Sequence, residues 1–556
     1  MPAPATQSTA IAIVGGGPVG LVLALLLDRH GVKSTVFNTE PNARWHPKGN
    51  THNARTMEHY RRLGIAEPIR RLGLPADHPT DTVYFTRFNG WELARIEMPS
   101  AAEKLATRDA SAKTDQLLEP VHRANQMYVE KFLLGHAATR PNITLRFGWS
   151  ATSFKQDYDG VSLRGERAGG EAESWRAAYL VGCDGGQSFV RRTLGIRYEG
   201  PGGLEQAFFG TYMLASYVRT KALYRDYKAR RAWQYWVVNP ELRVALTALN
   251  GKDEFLVLTR RAEDAPAPSA KDDALVGGMV KRAAGADIPV ELLAHSPWNG
   301  GAALVAQRYG EDRVLMAGDA VHLFSPTGGF GMNTGIDDAA NLAWKLAAMM
   351  QGWGGPDLIA SYDRERRPVG MRNTEAARAL SMNVGDVKTP REMEEESPAG
   401  TEARRQASDF LATFGEEFGS IGVQLGARYD GSSLVTPDGA PPPEDFAHYD
   451  PSGVPGGRAP QLWLDAGRDF GSSLFDRFGV GFTLLRLGRA PPDSASLAAA
   501  AQSRGIPLQV LDIADTEARA LYGRDLALIR PDQHVAWRGD RAPPDADGLW
   551  ARLVGF

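Results

Sequence analysis

Cysteine is almost missing: Cys183 is the single one in 556 residues. That excludes an intrachain disulfide, a CxxC redox pair and a thiolate metal cage, and no metal site is expected. Its place at the end of an apolar run, YLVGC, favours a small core residue over a reactive thiol. Long uninterrupted apolar runs are also missing. The opening MPAPATQSTA has no basic region leading into an apolar segment, and the run at 11–27 is broken by glycines and Pro18. Neither a secretory signal nor a membrane span is expected, and a cytoplasmic protein is. No charge dominates: the formal net charge is −3, which speaks against a dedicated nucleic-acid or anionic-membrane surface. Tandem repeats of solenoid length are absent. What remains is an ordinary globular composition, 43% hydrophobic and 23% charged, in a chain too long for one core, so two or three domains are expected.

What is there begins with IAIVGGGPVG at 11–20, a short apolar strand running into Gly15, Gly17 and Gly20, with Pro18 among them, and then a helix rich in Leu and Ala. Gly15 permits the tight turn and Gly17 lets backbone approach a pyrophosphate. Gly20 lets the helix pack close on the strand, with its first N–H groups facing the phosphates. Strand 11–14, helix 19–30 and strand 33–37 make a βαβ unit that delivers Asn38, with Glu40 two residues on. A glycine turn alone occurs without any ligand. A second segment, RVLMAGDAVHLFSPTGGFGMNTGIDDAAN at 313–341, makes that bland reading improbable. It carries Gly318-Asp319, then a loop with Pro326, Gly328, Gly329 and Gly331, then Met332 and Asn333 ahead of a helix expected over 336–350. Backbone N–H groups of such a loop can stabilise negative charge on a ligand. Between the two, YLVGCDGGQSFVRRTLGI at 179–196 brings Asp184 and Gly185 to a turn after an apolar strand.

In this order, the fingerprint, Asp184-Gly185 and Gly318-Asp319 resemble the flavoprotein aromatic hydroxylases, single-component FAD monooxygenases of phenolic compounds, over nearly the whole chain. The resemblance implies an α/β fold: a Rossmann-type FAD-binding domain at 1–200 and 301–385, with a short excursion near 82–110, and an inserted antiparallel-sheet substrate domain at 201–300. A helical segment and linker at 386–460 and a thioredoxin-like domain at 461–556 follow. Without CxxC that last domain cannot do disulfide chemistry, which leaves a structural or homodimer-forming role. The resemblance implies FAD as cofactor, NADPH or NADH as transient reductant, O2 as co-substrate and a small aromatic substrate. Oxygen would pass from a flavin C4a-hydroperoxide to an electron-rich ring.

Carried onto this chain, the resemblance places Asn38 or Glu40 at the adenosine ribose and Asp319 at the ribitol. Arg55, in PKGNTHNARTMEHYRRLGI at 47–65, would lie beside the flavin ring. Arg123 and Gln126, read on a helix at 121–134, would meet the pyrophosphate and ribitol, or else form a solvated face. One fingerprint implies that the nicotinamide docks in a surface groove, for which Arg44, Arg55 and 184–192 are candidates. Region 200–297 turns to strand-like alternation with many aromatics. In RAWQYWVVNP, Trp233 and Tyr235 alternate with Gln234 and Trp236, one pair to each side of a strand. Substrate-side candidates are Asn50, His52, Trp233, Tyr235 and Phe330. His52 and Tyr235 are the candidate phenol activators, and Pro326 shapes the flavin loop. Asn50 stands where some members carry a carboxylate and cannot act as a base. His322 reads as a packed residue. Segments 388–403 and 438–460 read as a mobile loop and an interdomain linker.

The expected reaction is hydroxylation of a substituted phenol or catechol, with displacement of a ring substituent compatible. The alternatives are a hydroxylase tailoring a polycyclic aromatic polyketide and a non-catalytic flavoprotein binding an aromatic ligand, the latter supported only by Asn38 and Asn50. A flavin halogenase would show WxWxIP, which WQYWVV at 233–238 does not match.

Overall fold

The computed structural model describes residues 6–167, 169–170, 172–203, 212–225, 230–260, 273–299, 302–325, 327–379 and 386–556. The fingerprint strand Gln7–Val14 lies in the middle of an eight-stranded sheet, parallel to Ala172–Gly182 on one side and Ser34–Asn38 on the other. Val314–Met316 and Ile143–Phe147 extend the parallel core outward, and Trp149–Asp157 and Gly160–Arg167 attach to Ala172–Gly182 as an antiparallel hairpin. Helix Pro18–Arg29 is apolar all round because it is covered all round, by this sheet and by helices Gln126–Ala137 and Phe330–Gln351. Leu21, Leu23, Leu26 and Leu27 are almost without exposure. Burying each contributes roughly 1.5–3 kcal/mol, so the helix and the glycine turn before it are stiffly held. Parallel strands carry their C-terminal ends to one edge, so the turns after Val14, Asn38 and Gly182 open together there.

A seven-stranded sheet runs in the order Glu291–Asn299, Tyr212–Arg219, Glu254–Arg260, Arg243–Ala248, Gln234–Val238, Thr82–Phe85, Glu92–Ile96. All its pairs are antiparallel except Gln234–Val238 with Thr82–Phe85. The excursion expected near 82–110 is therefore part of this same sheet. One face, with Leu214, Val218, Tyr235, Val237 and Leu246, lies under helix Asp273–Ala284. The other face packs Ala215, Tyr217 and Leu256 against Met127 of helix Gln126–Ala137, and Trp236, Tyr84 and Ala245 against Met393, Ala407 and Leu411.

The C-terminal sheet, Leu508–Ile513, Phe482–Leu487, Leu526–Ile529, Val535–Gly539, is mixed. Its Leu484, Leu526 and Leu528 share a core with Trp344 and Leu358 of helices Phe330–Gln351 and Asp357–Ala379.

Three local expectations are corrected. The helix read at 121–134 is a two-residue strand, His122–Arg123, paired with Thr51–His52, and a helix that starts only at Gln126. Asn125 decides the start by accepting the Met127 N–H at 3.1 Å. The loop read at 388–403 contains a 3-10 turn, Arg391–Glu394, and the first part of helix Pro398–Ala412, whose N-cap Ser397 accepts the Gly400 N–H. The helix expected from 336 begins six residues earlier, at Phe330. No helix of the described residues is long and apolar enough to cross a membrane.

Candidate functional site

At the edge where the parallel strands end lies a cavity of about 460 Å³. Its wall includes Gly15, Gly17 and Pro18, then Asn38, Glu40, Arg44, Asn50, Gln126, Asp184, Gly185, Asp319, Gly329, Phe330, Gly331 and Met332. The sequence separates these by more than three hundred positions, and the sheet brings them together.

The three fingerprint glycines do different work. A Cβ on Gly15, at φ +116°, would lie 2.2 Å from the Cys183 carbonyl oxygen, and one on Gly20 would lie 2.0 Å from the Gly15 oxygen. Those two permit close packing, and Gly20 sits beneath the cavity rather than in its wall. Gly17 has nothing within 4 Å, so it leaves room for a ligand against the backbone. Helix Pro18–Arg29 has no side-chain cap at Gly17, so its first N–H groups are available to the cavity. Phe330–Gln351 repeats the device: Gly329, at φ +67°, is its N-cap, without a side-chain cap. Asn333 fixes that loop by donating to Gly329 O at 2.6 Å and Thr51 O at 2.9 Å, while its Oδ1 accepts the Asn53 N–H at 3.0 Å. Gly318, at φ +66°, donates to the buried carboxylate of Asp338, which also accepts from His322 Nε2 at 2.7 Å. Gly318 and His322 are thus packing residues beneath Asp319. Gly328, at φ +75°, lies in the turn ahead of the helix, and Pro326 lies outside the described residues.

These walls fit FAD. Asp184, whose carboxyl is raised by burial, turns Oδ1 into a buried position without a protein donor, and Trp149 Nε1 in the same wall likewise has no acceptor. Asn38 is engaged at both ends of its amide. Its Oδ1 accepts the Gly16 N–H at 3.0 Å and its Nδ2 donates to Glu40 O. That leaves the exposed Glu40 carboxylate for the ribose hydroxyls. Glu40→Ala is expected to raise the FAD dissociation constant about tenfold, by loss of a charge-assisted hydrogen bond, in a flavin fluorescence titration. An unchanged constant would place the ribose elsewhere.

Arg55, His52, Tyr235, Trp233 and Arg123 also stand outside the wall. Arg55 points away from the cavity into a buried ionic network, to Glu58 and Gln533 at 2.8 Å and Asp337 at 3.4 Å. Carboxylates, not a flavin, offset its charge at the helix start. His52 is fully buried: Nε2 donates to Ala124 O at 3.2 Å and Nδ1 accepts from the Tyr60 hydroxyl at 3.3 Å. Burial lowers its pKa to about 4, so it is neutral. Tyr235 lies on the helix-covered face of the seven-stranded sheet, its oxygen accepting the Ala232 N–H at 2.8 Å. Trp233 belongs to the same core, with the Arg123 guanidinium 3.9 Å over its ring. Arg123 also bonds the hydroxyl of Thr51, which does line the cavity. Of the two pairs open in RAWQYWVVNP, it is Gln234 and Trp236 that lie on the opposite face, in rows with Thr82, Thr247, Tyr84 and Ala245, and Trp236 packs there against Met393, Ala407 and Leu411. Lys48, Thr51, Glu130 and Trp149 also line the cavity and were missed. Lys48 and Thr51 lie in the flavin-side segment already singled out, whereas nothing local marks Trp149.

A strand–glycine–helix turn, a second helix start and two aspartate turns meeting at one cavity define a flavin-binding protein. Residues 8–377 match the family described as FAD binding domain, and residues 452–555 the family described as aromatic-ring hydroxylase, C-terminal. The chain belongs to the FAD-dependent aromatic-ring hydroxylases. It is 30% identical to the FAD-dependent monooxygenase apdD of Emericella nidulans, over 100% of this chain and 92% of that one. It is 32% identical to a putative polyketide hydroxylase of Streptomyces halstedii, over 96% and 94%. The solved structure of the rebeccamycin biosynthetic enzyme RebC with reduced flavin superposes with a TM-score of 0.86 at 33% identity, covering 99% of both chains. The protein is an FAD-dependent monooxygenase acting on aromatic substrates, with NAD(P)H and O2 as its other reactants.

Proposed function

We propose that the chain hydroxylates a phenolic ring that arrives already ionised, and that the ring belongs to an aromatic polyketide. When bound, FAD supplies the redox chemistry that activates O2. The chain's own residues would hold and orient it: the two uncapped helix starts would serve its phosphates and ring edge, Glu40 would take the ribose, and Asp319 and Asp184 would accept from its hydroxyls.

One observation carries the ionised-substrate reading. The two candidate phenol activators, His52 and Tyr235, are buried, already bonded and turned from the cavity. A phenol made acidic by conjugation to a carbonyl needs no such base. Polyketide substrates meet that requirement, and the similarity to a putative polyketide hydroxylase over 96% of the chain supports them. A chlorinated or nitrated single-ring phenol meets the same requirement and is the second reading.

The test is NADH and NADPH oxidation with a panel of fused-ring and single-ring phenols of graded acidity, with product mass. The expected product is heavier by one oxygen, and kcat/KM is expected to rise with pH around each substrate's own phenol pKa. One common pKa across substrates would mean that a protein group takes the proton, and would overturn the reading.

A further inference from the structure

We propose that Gln533, in the turn between Leu526–Ile529 and Val535–Gly539, is a positioning residue for the flavin cavity, acting through Arg55. The inference rests on the FAD-binding reading and not on any one substrate. Gln533 is 2% exposed and adopts φ +66°, one of two non-glycine residues with positive φ among those described. Glycine would fill that conformation without strain, so the side chain is kept there against a local preference.

Its use is visible. Gln533 Oε1 accepts from Arg55 Nη1 at 2.8 Å, and the carbonyl of Asp532 accepts from Arg55 Nη2 at 2.7 Å. Arg62, at the far end of the same helix Ala54–Arg62, donates to Pro531 O. One turn of the C-terminal sheet therefore holds both ends of this helix from the side away from the cavity. The helix start is in turn bonded to the cavity wall. Asn53 caps it, and Asn333 joins Asn53 N, Thr51 O and Gly329 O. Thr51 and Gly329 line the cavity. A continuous hydrogen-bonded path thus runs from Gln533 through Arg55 and the helix start to both segments at the flavin edge. Glu58 and Asp337 keep Arg55 paired when Gln533 is altered. What changes is the direction in which the helix start is pulled.

The test uses the full-length chain with Gln533→Gly and Gln533→Glu. Glycine suits the backbone, so Gln533→Gly is expected to melt at or above the wild-type temperature. Its FAD dissociation constant is nevertheless expected to rise about tenfold, with an altered visible circular dichroism of the bound flavin. Gln533→Glu keeps an acceptor on Arg55 and is expected to retain wild-type affinity within about threefold. Unchanged FAD affinity and flavin spectrum in Gln533→Gly would overturn the proposal. So would a loss of affinity that merely tracks a lowered melting temperature. FAD titration needs no substrate, so failure of the polyketide reading leaves this result standing, whereas a wild type that binds no FAD would sink both.

Discussion

Arg530→Met is expected to destabilise the fold by about 3–5 kcal/mol, several times more than removal of an exposed arginine. Arg530 is buried where the C-terminal sheet meets the FAD-binding part, bonded to Glu365 at 2.6 and 2.7 Å and to Asp532 at 2.6 Å. Lys345 shares Glu365 at 2.7 Å, Arg366 spans Asp337 and Asp338, and Arg55 and Arg458 share Glu58. Five cations and five carboxylates are thus buried in neutral balance between elements distant in sequence. Burial alone would raise the Glu365 carboxyl, but the charges of Arg530 and Lys345 hold it below the usual carboxylate range. Methionine keeps much of the volume and leaves two buried carboxylates short of a cation. Urea denaturation checks this against Arg405→Met, whose partners Glu402 and Asp409 are exposed and whose loss should cost far less. Equal costs would mean that the network contributes nothing beyond a surface pair.

Acid is expected to remove roughly 5 kcal/mol of stability between pH 7.5 and 5.5, before carboxylates titrate. Burial pushes His52 and His59 down to about 4 and His30 and His122 down to about 3, from an ordinary value of 6.5. In this window the unfolded chain takes up protons that the folded chain refuses, so stability falls as pH falls. Each histidine contributes about 1.4 kcal/mol at pH 5.5. The depressed carboxylates of Asp337, Glu365 and Asp532 work with the opposite sign. They contribute stability above about pH 4, and it is lost only in stronger acid. Denaturation curves at the two pH values give the difference, and His122→Gln should reduce it by about a quarter. A flat profile would mean that these rings are protonated in the folded protein.

The cofactor cavity was legible in the sequence because each of its marks is local. A strand-to-helix turn demands glycine at Gly15 and Gly20 on steric grounds alone, and Asp184-Gly185 and Gly318-Asp319 sit at strand ends that a parallel sheet must bring to one edge. The C-terminal alternation of strand and helix was legible for the same reason, as was the strand character of 231–240. The direction in which side chains point was not. Tyr235 and Gln234 are neighbours in one strand, and only pairing with Thr82–Phe85 and Arg243–Ala248, and a helix laid over one face, decides which lies in that core and which on the opposite face. Arg55 read as a flavin contact because its loop passes the cavity. Its partners, Glu58, Asp337 and Gln533, include residues some 280 and 480 positions away, and a long flexible cation goes where the buried carboxylates are. By itself the sequence determined which backbone turns would bind a dinucleotide, since sterics act between neighbours. Only the tertiary structure decided which charges and rings are spent inside the protein and which remain for chemistry, because desolvation and pairing depend on what the rest of the chain places against each group.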